Sequence, residues 1–207
     1  MKSKVDIKIL IITVIICLLP MIYGIVNYNN MAENVAIHFD YNNNPDNWIP
    51  KWCALVLPVP MALLQCFICI TSDKKLENPQ ANRKIINVSK AIIPLITVVT
   101  YVLTINNAIG VKTDIRKIVC IMLGVILFIV GNYMPKTKQN IIVGLRTCKT
   151  IMDEKKWAKM NRLMGIIFMI SGLVIFISGF MMPIVSVIAI GLFIAASIVI
   201  TIDASLK

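Results

Sequence analysis

Six runs of about 17–20 consecutive apolar residues, separated by short charged connectors, decide what this chain can fold into. They occupy residues 9–28, 52–71, 91–109, 118–134, 163–180 and 183–202. At about 1.5 Å rise per residue, each run is long enough as a helix to cross roughly 30 Å of hydrocarbon. A water-soluble core could not hide them all: 58% of the 207 residues are hydrophobic and the mean hydropathy is +0.82, whereas soluble domains sit near 45–50% apolar. The expectation is an all-α integral membrane protein, a bundle of six transmembrane helices.

The connectors orient it. With six crossings, the N-terminus, the second and fourth connectors and the C-terminus share a side. Of the 21 Lys and Arg, all but Lys51, Lys112, Arg116 and Lys117 fall there. Cytoplasmic loops carry the basic excess, so both termini are expected on the cytoplasmic side of a plasma membrane. The opposite side, with Glu33, Asp40, Asp46 and Asp114, is near neutral. The whole charge of +11 thus faces the anionic inner leaflet. The connector 72–90 reads as a solvated basic loop.

The first run follows Lys2, Lys4 and Lys8 but is too long for a signal core and lacks a small-residue cleavage site, so it is expected to remain as a span. Pro20 should kink it unless neighbours re-satisfy the freed carbonyl, and Tyr23 and Tyr28 suit its interfacial end. Gln65, a lone amide in the second run, should find a partner on a facing helix. Gly124 and Gly131 in the fourth run, and Gly165, Gly172 and Gly179 in the fifth, recur at intervals of seven. Such stripes let backbones approach closely, so these two runs should pack as an antiparallel pair.

Several chemistries are disfavoured. No charged residue falls mid-span, so the proton relays and buried ion pairs of coupled transporters are missing. No catalytic or phosphate-cradling motif is present, and no enzymatic activity, cofactor or direct nucleic-acid contact is expected. The six cysteines lie mostly inside runs and read as packing thiols. His38, Asp40 and Asp46 could be imagined as a metal set, but one His without tight spacing favours a hydrogen-bonded turn, and no metal is assigned.

That outer loop, residues 29–51, contains VAIHFD, a short alternating stretch that could pair as a strand or lie along the interface, then NNNPDNW, a turn with an aromatic anchor. It should form a short extracytoplasmic loop domain. The fourth connector is richer. Residues 131–165 run GNYMPKTKQNIIVGLRTCKTIMDEKKWAKMNRLMG and hold Lys136, Lys138, Arg146, Lys149, Lys155, Lys156, Lys159 and Arg162 against Asp153 and Glu154. From Asp153, a good N-cap, to Arg162 a cytoplasmic interfacial helix is expected, lying at or entering the membrane surface, with Lys155, Lys159 and Arg162 on one face and Trp157 among headgroups. Arg146, Asn132 and Asn140 should form a polar network at the mouth of the fourth span.

This connector resembles the signature of the SdpI family of bacterial membrane proteins. Gly131, Asn132, Tyr133, Asn140, Gly144, Arg146, Thr147, Thr150, Trp157, Lys159, Arg162 and Gly165 match it in order and spacing. Cys148 and Lys149 stand where the family has Pro-Trp, Met160 and Asn161 where it has Thr-His, and Met164 where it has the first closing glycine. The outer loop is similar to the family's too, through His38, Phe39, Pro45, Asp46, Trp48 and Lys51. There Ala36 replaces a proline, and Asn43 and Asn44 lie near the missing turn glycine, Asn being tolerant of positive φ. The resemblance implies immunity to a membrane-active peptide toxin and, in some members, capture of a cytosolic repressor. Without it, the broken spans would suit an exporter of a small lipophilic compound, or a headgroup-modifying enzyme. The expected organisation is a two-span unit over 1–71, a linker with span three and a return loop over 72–117, and a signature region over 118–207.

Overall fold

The computed structural model describes residues 5–74, 79–140 and 142–206, with backbone alone for 79–82. Among them are six helices long and apolar enough to cross a membrane: Ile7–Asn30, Lys51–Lys74, Arg83–Ala108, Ile115–Lys136, Glu154–Ser178 and Pro183–Leu206. The chain divides into two compact units, residues 5–71 with 90–119, and residues 72–89 with 120–206.

In the first unit, α1 (Ile7–Leu18) and α2 (Met21–Asn27) are separated at Pro20, whose ring cannot continue the hydrogen-bond ladder. A hairpin follows, β1 (Asn34–Phe39) antiparallel to β2 (Pro45–Pro50), with Val35 opposite Ile49 and Ala36 opposite Trp48. Its turn includes Asn43 at φ 66°, the left-handed region that Asn adopts more readily than most residues. Of the two readings of VAIHF, strand or interfacial stretch, the strand forms. Then α3 (Lys51–Val56) and α4 (Pro58–Lys74) make one span broken at Pro58. Val35, Ala54, Met31, Tyr101, Ile105 and Ala108 form the buried cluster beneath the hairpin, and Tyr23 and Tyr28 pack against it.

α5 (Pro79–Ala108) corrects the reading of the second connector. Of residues 72–90 only 75–78 lie outside the described residues; Ser72 to Lys74 finish α4, and Pro79 to Lys90 are already helical. Pro suits a first helical position, where its missing N–H costs nothing, and Ile85 and Ile86 supply an apolar face that is buried against Tyr133, Ile142 and Val143. Lys90, expected in solvent, is buried. Pro94 lies inside the helix. It has no N–H for the Lys90 carbonyl, and the Gln65 amide donates to that carbonyl across 2.9 Å. The lone amide and the mid-helix proline thus answer each other. The Tyr101 hydroxyl similarly donates to the Leu55 carbonyl at the α3–α4 break, at 3.2 Å.

In the second unit, α6 (Ile115–Tyr133, from Cys120 onward) meets α8 (Glu154–Ser178) at paired glycines. A Cβ on Gly124 would stand 2.6 Å from the Gly172 carbonyl oxygen, and one on Gly131 2.7 Å from that of Gly165. As α6 advances by seven residues α8 retreats by seven, which is the antiparallel pairing that the heptad spacing implies. Phe168 meets Phe193 edge-on between α8 and α9 (Pro183–Leu206), 5.1 Å between centroids, and the Ser186 hydroxyl donates to the Ser178 carbonyl at their junction.

Candidate functional site

The fourth connector folds as a closed loop on the first turns of α8. Asn140 sets its entry: its Oδ1 accepts from the N–H groups of Ile142 and Val143, and its Nδ2 donates to the carbonyls of Lys138 and Val143. Gly144 follows at φ +117°, where a Cβ would be 2.6 Å from Asn161 Oδ1 and 2.9 Å from the Trp157 ring. Glycine is required there twice over, by backbone conformation and by space. Its neighbour Leu145 donates its N–H to Asn161 Oδ1 at 2.8 Å, and Asn161 Nδ2 holds the Trp157 carbonyl.

Trp157 is 1% exposed, and its indole N–H donates 2.8 Å to the Thr137 carbonyl. It is therefore the loop's core and not a headgroup anchor. A buried Trp needs one acceptor for its one donor, and the loop supplies it. Of the two readings of segment 154–162, lying at the surface or entering a span, the second holds: it is the start of α8, N-capped as expected by Asp153, whose carboxylate accepts from the N–H groups of Lys155 and Lys156. Lys155, Lys159 and Arg162 do share an exposed face.

Thr147 opens the short α7 (Cys148–Met152) with a capping box, accepting from the Thr150 N–H while Thr150 Oγ1 accepts from the Thr147 N–H. Thr150, fully buried, also donates to the Leu145 carbonyl. Thr147 Oγ1 donates to the Ala204 carbonyl and Lys149 Nζ to that of Leu206, satisfying two of the orphan carbonyls at the end of α9. Gln139 caps α7, its amide donating to the carbonyls of Thr150 and Ile151.

The sequence-derived residues thus divide by role. Gly131 and Gly165 form the helix crossing; Tyr133 packs on Ile85 and Ile86; Asn140, Gly144, Thr147 and Trp157 build the loop; Arg146, Lys159 and Arg162 are exposed. The expected network of Arg146, Asn132 and Asn140 takes another form, since Asn140 clamps its own loop and Asn132 accepts from Lys136 Nζ at 3.2 Å. Asn161 and Gln139 are the residues that sequence reasoning passed over. Asn161 lies one helical turn after Trp157, on the same face, and that spacing was the available signal.

On the hairpin of the first unit, His38 Nδ1 lies 2.5 Å from Asp46 Oδ1, both side chains exposed. Asp40 belongs to the turn, accepting from the N–H groups of Asn42 and Asn44. Hydrogen bonding from Asn44, first through its N–H, holds the Asp40 carboxyl below its ordinary value. Phe39 pairs with Pro45, Trp48 stays exposed, and Lys51 pairs with Glu33 at 2.8 Å. The hairpin turn is fastened to the start of α6: Asn43 Nδ2 donates to Asp114 Oδ1 and Asn43 Oδ1 accepts the Arg116 N–H. Burial pushes the Asp114 carboxyl up, but the Asn43 hydrogen bond, the Lys117 N–H and the charges of Arg116 and Lys117 outweigh it and leave it lowered. Among the described residues no group of three or more His, Cys, Asp or Glu could hold a metal ion.

Six long apolar helices and a basic, internally hydrogen-bonded connector define a multi-pass helical membrane protein. Residues 136–202 match the model of the SdpI/YfhL protein family, and residues 15–62 match a domain of unknown function, DUF1648. The chain is 25% identical over 171 residues to the Immunity protein SdpI of Bacillus subtilis (strain 168), covering 82% of this chain and 81% of that one. No solved structure matches it significantly.

Proposed function

We propose that this chain is a plasma-membrane immunity protein that protects the cell carrying it from a membrane-active peptide toxin. The observation that carries the reading is the similarity to the Immunity protein SdpI over four-fifths of both chains, joined to a loop in which Asn140, Gly144, Thr147 and Trp157 are each held by a specific bond or close contact. In this reading both termini and the loop face the cytoplasm, following the bias of basic residues, and the hairpin with His38, Asp46 and Trp48 faces outward. A signalling role through a cytosolic repressor would use the exposed Arg146, Lys159 and Arg162, and co-purification of a DNA-binding protein after toxin exposure tests it.

The immunity reading is tested by expressing the chain in a sensitive host challenged with related peptide toxins. Survival that is lost in the Gly144→Val variant, at equal membrane abundance, is the expected result. Unchanged killing by every such peptide despite full expression would overturn it.

A further inference from the structure

The end of α7 presents two apolar side chains to the outside: Met152 is 86% exposed and Ile151 is also exposed. They are not free to fold inward, because Gln139 holds the carbonyls of Thr150 and Ile151 and the Thr147–Thr150 capping box fixes the preceding turn. Their surroundings in the chain are cationic. Lys149 precedes them, and Lys155, Lys156 and Lys159 follow in α8; of the two acids between, Asp153 caps that helix and Glu154 stands exposed in its first turn, so residues 149–159 remain net positive.

α8 has 25 residues, roughly 37 Å at about 1.5 Å each, against about 30 Å of hydrocarbon. Beyond its far end lies an uncharged apolar turn, Phe180, Met181 and Met182, all exposed, which suits the opposite hydrocarbon boundary. The charged residues of α8, from Glu154 to Arg162, all lie at its other end, so the length in excess of the hydrocarbon projects there. α7 ends immediately before that charged end, and Lys149 Nζ donates to the Leu206 carbonyl at the end of α9.

We propose that the Ile151–Met152 tip, flanked by Lys149, Lys155 and Lys159, docks into an anionic phospholipid surface. Apolar side chains ringed by lysines fit a headgroup–acyl boundary, where the side chains enter the apolar edge and the ammonium groups meet phosphate. The tip is continuous with a membrane-crossing helix, so the bilayer is the partner already within reach. Docking would fix the loop, and with it the end of α9, at the membrane surface.

The test uses the full chain in nanodiscs, with an environment-sensitive fluorophore on Met152→Cys in a Cys148→Ser background and the Cys148→Ser chain alone as labelling blank. Three arms compare phosphatidylcholine, phosphatidylcholine with phosphatidylglycerol, and the first with free inorganic phosphate at matched ionic strength. The expected result is shielding from aqueous iodide and quenching by shallow spin-labelled lipid, strongest with phosphatidylglycerol. Lys155→Gln and Lys159→Gln should each reduce the ratio of docked to undocked tip about five-fold, the equivalent of about 1 kcal/mol per lysine at a membrane surface. A probe exposed to water in every arm, equal shielding with and without anionic lipid, shielding by free phosphate alone, or shielding that arises only on adding a soluble protein would each overturn the proposal.

Discussion

The contact between Gln65 and the carbonyl of Lys90 offers a sharp test of how this chain tolerates proline inside an apolar helix. Pro94 leaves that carbonyl without its helical donor, and Gln65, fully buried, supplies one at 2.9 Å. Removing the amide leaves a buried acceptor unsatisfied, at a cost of about 1–3 kcal/mol; interhelical hydrogen bonds in membranes average about 0.6 and reach about 1.7. Gln65 Oε1 has no hydrogen-bond partner among the described residues, so a Gln65→Leu change also erases an orphan and recovers part of the loss. The single variant is therefore a poor measure. In a Pro94→Ala background the helix regains its own N–H donor to Lys90, and Gln65 becomes redundant. A double-mutant cycle by reversible unfolding in mixed micelles should give a coupling of about 1–2 kcal/mol. Gln65→Leu should be costly while Pro94 is present and neutral or stabilising once Pro94→Ala has been made. Equal cost in both backgrounds would refute the pairing.

Gly172→Val should drive a side chain into the Gly124 carbonyl, 2.7 Å from the Cβ position; overpacking of this kind costs about 1–3 kcal/mol or more, read as a lowered melting temperature, whereas Gly191→Ala, with open space around it, should change nothing. Trp157→Phe deprives the Thr137 carbonyl of its donor and should destabilise the loop by about 1–3 kcal/mol, seen as faster hydrogen exchange over residues 137–150 with the spans unaffected. Asp40 and Asp114 both have lowered folded-state pKa values, so their contribution to the hairpin is full above the ordinary carboxylate pKa of about 4 and is lost only as pH falls through the lowered values. Protection of the hairpin amides from exchange should then stay flat from neutral pH down to about pH 5, and an opening transition between those limits would contradict the assignment.

Much of the fold was legible because membrane-crossing helices announce themselves by length and hydropathy, and because Gly124, Gly131, Gly165 and Gly172 keep the same spacing on two helices that meet. Asn43 likewise signalled its turn through its tolerance of positive φ. The start of α5 was hidden: its cations Arg83, Lys84 and Lys90 read as a solvated connector, while the packing of Ile85 and Ile86 on Tyr133 and Val143 joins residues far apart in sequence. Trp157 was misplaced for a related reason. Among lysines an indole resembles a headgroup anchor, and only the loop's return to Thr137, 20 residues earlier, gives it a buried acceptor. Residues 140–150 carried the family pattern, yet the partnership of Gly144 with Asn161 depends on backbone geometry that no local pattern expresses.

The central claim is a chain that crosses the membrane six times with its basic loop inside. A variant keeping Cys148, exposed on that loop, as its sole cysteine should react with a membrane-impermeant maleimide in inverted vesicles and stay unlabelled in intact cells. Labelling from outside intact cells would contradict the topology and, with it, the inward-facing loop on which the proposed function is built.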